Sequence, residues 1–309
     1  MNILIIYNSP SSERQDDLDT LVQVKEVKQG LEANEHRVHE LALKDSLNDL
    51  ANYLGLHSID FVFNLVESFK GSDQFIYLIP AYLEALKIPF SGNGSRALAL
   101  AADKKIAKSL MKSFAINHPA DFKEDDKTYI VKACAEDASI GIDEKSIVQG
   151  TSLVLKKIEE KKNEYGFDFF AEEFIEGREL QVGLIGAENN SEVLGISEIV
   201  FNYPEGKPHI VDYNCKWTEG SFEYENSTRE FLGEEYQFVV DLARKSWDAF
   251  GLKGYARVDF RLNAHNEAYV LEVNPNPCIT SDSGFIAAAD RLGISYNQLI
   301  DKIVKIGML

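Results

Sequence analysis

The chain has 309 residues, 45% of them hydrophobic, with 50 acidic side chains against 32 basic ones and a formal net charge of −18. That length holds about two domains, or more if they are small, and that composition belongs to a globular protein with a real core. The acidic balance shows no domain-wide basic footprint, so nucleic acid is excluded as the expected partner, and the acidity is read as a solubility feature.

Residues 1–7, Met-Asn-Ile-Leu-Ile-Ile-Tyr, read as a buried first strand; the apolar run is too short for a signal peptide. A helix is expected over 18–34, with Leu21, Val24, Val27 and Leu31 at helical spacing. Strands follow at 36–43 and 61–65, then a helix over 79–86. Strands alternating with helices predict a parallel sheet with both faces covered, an α/β fold class. The turn cluster Ser91-Gly92-Asn93-Gly94-Ser95 marks a first boundary. A single helical stretch is expected over 96–115. Residues 129–133 read as a strand with an inward-facing Lys132, and 146–155 and 169–174 as further short elements. The charged stretch 156–164 reads as a solvated helix face or loop. Several strands and the helices 236–250 and 296–306 complete the chain.

Three cysteines, Cys134, Cys215 and Cys278, are scattered and odd in number, so neither a disulfide framework nor a zinc site is expected. No apolar run approaches the roughly 18 residues of a membrane span. A cytoplasmic location without a membrane partner is expected.

The chemistry concentrates in residues 254–277. Asp259 lies in one strand-like run, Glu272 and Asn274 in the next, with 263–267 as the hairpin loop. Strand alternation puts Glu272 and Asn274 on one face, and a hairpin brings Asp259 beside Glu272. Two carboxylates and an amide oxygen suit Mg²⁺ held jointly with phosphates, and Arg257 adds a planar cation on the same face. The competing reading is an ordinary solvated hairpin face. Lys132, feeding the loop 136–141, suits phosphate binding but resembles any edge-strand lysine. The segment 172–179 offers carboxylates and backbone edges for an adenine and a ribose, or is simply a charged hairpin.

Taken together and in order, these segments resemble the ATP-grasp superfamily, in its D-alanine–D-alanine ligase branch. The matching stretches are Ser12-Glu13-Arg14, Ile88-Pro89-Phe90-Ser91-Gly92, residues 98–104, Ile130-Val131-Lys132 with Ser139-Ile140-Gly141, residues 172–179, Lys216 in the loop 212–222, Arg257 through Asn274, and Gly293-Ile294-Ser295-Tyr296. The resemblance implies an ATP-grasp fold in three parts. These are an N-terminal α/β domain over 1–92, a central lid domain over 93–177 and a C-terminal catalytic domain over 178–309. It implies that Lys104 and Lys132 hold ATP phosphates with the Ser139 loop, that Glu172 and Ile175 face the adenine, and that Glu179 faces the ribose. Asp259, Glu272 and Asn274 would bind two Mg²⁺ ions, with Mn²⁺ as the alternative. Glu13 would receive an amino group, and Arg257 and Lys216 would serve the reaction. A substrate carboxylate would be phosphorylated by ATP, and an amine would attack the acyl phosphate. A homodimer is a family-level expectation.

The departures cluster at the amino-acid site. The family's loop reads Glu-Gly-Ser-Ser-Ile/Val-Gly, and here Ala138 replaces the first serine. Trp217 follows Lys216 where a tyrosine is usual, and Val66-Glu67-Ser68 replaces a His-Gly. Cys278 stands where a glycine is usual, and Gly284 follows Ser283, the serine expected near a second amino acid's carboxylate. Nucleotide and metal residues are kept while substrate residues change, and Glu67 or Trp217 would reshape an amino-acid pocket. Three readings follow. The first is a carboxylate–amine ligase acting on an amino acid or short peptide. The others are a true D-alanine–D-alanine ligase of cell-wall synthesis, and an inactive nucleotide-binding relative. Cys278 as a nucleophile has no histidine nearby to support it.

Overall fold

The computed structural model describes residues 1–9, 15–44, 46–136 and 139–309. Strand β1 (Asn2–Asn8) leads through helix α1 (Gln15–Ala33) to β2 (Arg37–Leu43), and α2 (Leu47–Leu56) leads to β3 (Phe61–Leu65). The three strands form a parallel sheet in the order β2-β1-β3. Ile3 to Ile6 are fully buried, as expected of a central strand covered on both faces. In α1 the buried stripe is Val24, Val27 and Leu31, while Leu21 is 42% exposed. The expected four-residue stripe is therefore one turn too long, and Leu21 faces solvent.

After α3 (Leu78–Leu86) the expected helix 96–115 is instead two helices, α4 (Ser95–Ala102) and α5 (Lys104–Ser113). Asp103 is the cause. Its backbone is extended and its carboxylate accepts from the N–H groups of Lys105 and Ile106, capping α5. The break sets Lys104 as the first residue of α5.

Strand β4 (Thr128–Ala133) is the centre of a three-stranded antiparallel sheet, between β5 (Ile147–Gln149) and β6 (Phe169–Glu173). The charged stretch 156–164 belongs to α6 (Thr151–Tyr165). It is not wholly solvated: Lys161 is buried and donates to the Gly141 carbonyl at 2.6 Å.

The third sheet contains β7 (Arg178–Ala187) and β8 (Asn190–Phe201). The short helices α7 (Tyr213–Trp217) and α8 (Phe222–Glu225) then lead to β9 (Ser227–Phe231). Helix α9 (Gln237–Phe250) precedes β10 (Gly254–Leu262) and β11 (Ala268–Asn274), and α10 (Gly284–Arg291) and α11 (Tyr296–Gly307) end the chain. The sheet is antiparallel in the order β11-β10-β7-β8-β9. Its one face packs on α9 through Trp247, Val239 and Phe250 and on Met111 of α5. Its other face packs on Phe285 of α10 and on Ile300 and Ile303 of α11, which also cover β1, β3 and α1. The last helix thus lies between the first and third sheets.

Asn93 locks these layers where the site is built. Its side-chain amide donates to the carbonyls of Tyr255 and Pro275, both at 2.7 Å, and its oxygen accepts from Lys253 N–H. Gly254 beside it has φ +74°, and a Cβ there would stand 2.7 Å from the Gly92 carbonyl oxygen. Only glycine allows that approach.

Candidate functional site

Strands β10 and β11 form the expected hairpin, closed by Asn263, whose side-chain oxygen accepts from the N–H groups of His265 and Glu267. Asp259 pairs directly with Glu272, and Arg257 with Asn274. Directly opposed residues share a face, so all four side chains converge. A bulge opposite Asp259 and Phe260 leaves Leu271 as the extra residue, a device that re-aims side chains beside it.

Arg257 grips Asp259 with two hydrogen bonds of 2.7 Å, from Nε to Oδ1 and from Nη2 to Oδ2. Burial opposes the arginine's charge, but Asp259 outweighs it and the guanidinium is held more firmly cationic than usual. Burial raises the Asp259 carboxyl, with Arg257 opposing and Glu272 adding repulsion. Glu272 goes the other way. Burial would raise it, but Lys104, Lys216, Lys132 and Arg257 together bring it to about 2. A cluster of cations therefore faces one firmly ionised carboxylate. Asn274 Oδ1 accepts from Asn276 N–H at 2.9 Å.

Lys132 of β4 pairs with Glu172 of β6 at 2.8 Å, and Lys108 of α5 pairs with the same carboxylate at 2.5 Å. Neither approach has good hydrogen-bond direction, so the pairing is chiefly electrostatic. Burial would raise Glu172, and the two lysines overcome it, holding its carboxyl below the ordinary range. Glu179 on β7 is raised, by burial first, with Arg261 opposing at 3.5 Å. Arg261 also donates to the carbonyls of Gly177 and His209 and lies over the Phe174 ring. Lys132, Ser139, Glu172, Ile175, Glu179, Lys216, Asp259 and Glu272 line one cleft of about 70 Å³. Ser139 has φ +61°, unusual outside glycine, and its hydroxyl donates to the Val211 carbonyl. Lys104 donates to the Glu136 carbonyl at 2.8 Å.

Farther along the same face, toward Arg257 and Asn274, lies a cavity of about 900 Å³, lined by Glu67, Lys216, Trp217, Arg257, Asn274 and Ser283 among others. That volume suits a small-molecule site. Glu67 accepts from Gln23 Nε2 at 3.1 Å. The Trp217 indole N–H is buried without a hydrogen-bond partner. The Ser283 hydroxyl caps α10, accepting from Ile286 N–H. Cys278 donates its thiol proton to Asp19 at 3.3 Å; burial first, then Asp19, pushes the thiol far up. A nucleophile needs the opposite shift, so Cys278 is a neutral donor. Glu13 and Ala138 lie outside the described residues.

Three further residues escaped the sequence reading. Lys108 is four residues after Lys104 and Arg261 two after Asp259, so helix and strand periodicity could have found both. Arg229, in the cavity wall, gave no signal.

The architecture and this convergence of lysines, carboxylates and arginine define an ATP-grasp protein. The family model for the C-terminal part of D-ala D-ala ligase matches residues 122–305. The chain is 33% identical over 283 residues to a D-alanine–D-alanine ligase of Carboxydothermus hydrogenoformans, covering 85% of this chain and 86% of that one. It is 31% identical over 316 residues to that of Aquifex aeolicus, covering 98% and 100%. A Bacillus anthracis D-alanine–D-alanine ligase solved with ATP matches at TM-score 0.76 and 24% identity, covering 100% of this chain and 97% of that one, a likeness of fold. The chain belongs to the D-alanine–D-alanine ligase family, and it is an ATP-dependent ligase.

Proposed function

We propose that this enzyme activates the carboxylate of an amino acid or short peptide with ATP and joins it to an amine. The observation that carries the reading is the Asp259–Glu272 pair, with Asn274 and Arg257 on its face and three lysines around Glu272. Lys104 and Lys132 are assigned to the ATP phosphates, Glu172 and Ile175 to the adenine, and Glu179 to the ribose. Residues 93–177 would close over the nucleotide held against 178–309, with 1–92 contributing Glu67 and Glu13 to the amino-acid side.

The donor set fits Mg²⁺. Glu272 stays ionised, Asn274 adds an amide oxygen, and Asp259 keeps free lone pairs while holding Arg257, because a carboxylate accepts at about four positions. Bound Mg²⁺ would supply charge neutralisation for phosphoryl transfer. This chain's own residues do the rest. Arg257 and Lys216 stabilise charge on the transferring phosphoryl group, and the acyl phosphate is held where the amine can reach it. The amine attacks the carbonyl carbon, its nitrogen loses a proton, and phosphate leaves.

D-alanine as both substrates is a second reading, favoured by the relatives' names. Ser283 and Glu67 are assigned to substrate contact, and Trp217 to pocket shape. The test is phosphate release and product analysis with ATP and Mg²⁺ against D- and L-amino acids and dipeptides. Turnover with D-alanine of roughly one per second, ordinary for an enzyme, would establish the second reading. No phosphate release with any amino acid or dipeptide would overturn both.

A further inference from the structure

Strand β9 carries Arg229 into the wall of the large cavity, beside Ser227 and Thr228. Its guanidinium lies where a side chain on residue 284 would stand. A Cβ built on Gly284 would meet Nε at 2.7 Å, Cζ at 2.8 Å and Nη2 at 3.0 Å. Gly284 opens α10, and its φ is outside the left-handed region. The backbone therefore has no need of glycine, which lowers helix stability relative to alanine by roughly 0.5–1 kcal/mol in a helix interior. What the glycine supplies is space, and Arg229 fills it.

Lys216 reaches both the large cavity and the smaller cleft, and two further cations of this region are engaged. Arg257 is held twice by Asp259, and Lys104 donates to Glu136. Arg229 has no hydrogen bond or ion pair with any described residue, and its side chain is largely exposed; the crowding around its base and Arg257 disfavour its charge, and Asp282 favours it without touching it. The cavity is polarised along the loop from β11 to α10. Cys278 sits against Asp19, with Glu67 adding negative charge there. Six residues on, Gly284 lies under Arg229. One end of the wall is thus acidic, and the other carries an arginine that stands exposed at the cavity wall with Asp282 nearby, where a ligand carboxylate would cover it.

We infer that Arg229, admitted by Gly284, binds an anionic side group of the amine substrate, so that the amine is a dicarboxylic amino acid rather than alanine. The inference rests on the ligase reading above. An arginine–carboxylate contact in such a site gives a charge-assisted hydrogen bond pair, and its loss weakens binding about 10- to 100-fold.

The test compares D- and L-aspartate and D- and L-glutamate with D- and L-alanine as amine acceptors, with ATP, Mg²⁺ and alanine as the activated acid, in wild type, Arg229→Gln and Gly284→Leu. The expected result is a dicarboxylic acceptor used with a KM about tenfold or more below that of alanine. Arg229→Gln should raise that KM about 10- to 100-fold with kcat within about threefold, and leave neutral acceptors unchanged. Gly284→Leu, which must displace the guanidinium, should reproduce the loss. Equal effects on neutral and dicarboxylic acceptors, or better use of alanine by the wild type, would overturn the inference. ADP release with any acceptor supports the ligase reading independently of Arg229. If no amino acid drives ADP release, that reading fails, and calorimetry with glutamate decides the anion site by itself. Binding weakened about tenfold in Arg229→Gln is then expected, and absent or unchanged binding overturns it.

Discussion

The two pockets that adjoin on one face of the β10–β11 hairpin solve different electrostatic problems. Toward Asp259 and Glu272, a cleft of about 70 Å³ holds charges that answer one another: Lys108 and Lys132 on Glu172, and Arg261 on Glu179. Toward Arg257 and Asn274, a cavity of about 900 Å³ keeps an unpartnered indole N–H at Trp217 and, exposed at its wall, an unpaired guanidinium at Arg229. A site for a molecule of fixed chemistry, such as a nucleotide, can be built with its charges already balanced. A site whose ligand differs between relatives leaves its polar groups for that ligand to satisfy. This is why the departures from the family pattern, Glu67, Trp217 and Gly284, border the large cavity while the lysines and carboxylates of the small cleft keep it.

The largest effect should come from the hairpin that both pockets share. Glu272→Gln keeps the shape and removes a charge that four cations hold ionised. Turnover should fall on the order of 10³-fold or more, as for loss of a principal electrostatic group, with the melting temperature retained. Phosphate release measured with any accepted amino acid checks this. Wild-type turnover in the variant would overturn the proposed metal role of the trio and undo the division into two pockets.

Next in size is Lys108→Met, which sharpens the claim that the smaller cleft is internally balanced. Removing one partner of a buried ion pair costs about 3–5 kcal/mol. Lys132 still faces Glu172, so the loss should sit near the lower end, about 3 kcal/mol. Urea unfolding at pH 7 measures it. Glu172's folded value lies below its unfolded value of about 4.3. Its stabilisation is therefore present above that value and lost as pH falls through the folded one. The gap between wild type and variant should accordingly narrow in acid. A variant as stable as wild type at pH 7 would show that Lys108 is dispensable to the cleft.

A smaller change should follow from Lys132→Ala. On the proposed assignment it removes one charge-assisted contact to ATP, worth roughly 1.5–3 kcal/mol, so affinity should fall about 10- to 100-fold. Lys108 remains on Glu172, so the fold should survive. Calorimetry with ATP and Mg²⁺ reads the change, and unchanged affinity would remove Lys132 from the nucleotide side.

Much of this was legible in the chain because it is carried by local periodicity. The 263–267 turn and the shared face of Glu272 and Asn274 follow from turn and strand signals, and β3 was placed residue for residue, while the exact Asp259–Glu272 register depends on the bulge at Leu271. Asp103 was harder. Nothing in the apolar pattern of 96–115 separates one helix from two, since the break depends on a side chain competing for two backbone N–H groups. Leu21 failed for the opposite reason: it has the right spacing, but the helix's neighbours cover only the stripe from Val24 onward. Arg229 was illegible because its meaning lies in a contact with Gly284, 55 positions later, which no window of sequence brings together.

The smallest effect is expected at Cys278, and it tests whether the cavity side contains covalent chemistry. The thiol lies in the cavity wall, two residues from Asn276, where a nucleophile would be well placed. Its environment works against that role. Burial and the Asp19 carboxylate both disfavour the thiolate, and the proton is committed to Asp19 at 3.3 Å. At pH 8 it should react with iodoacetamide at least about tenfold more slowly than a free thiol of pKa about 8.5. Cys278→Ser keeps a donor to Asp19 and should leave turnover within about threefold of wild type. Rapid alkylation together with loss of turnover in the serine variant would place a nucleophile in the cavity, and the amide bond would then not depend on acyl phosphate chemistry alone.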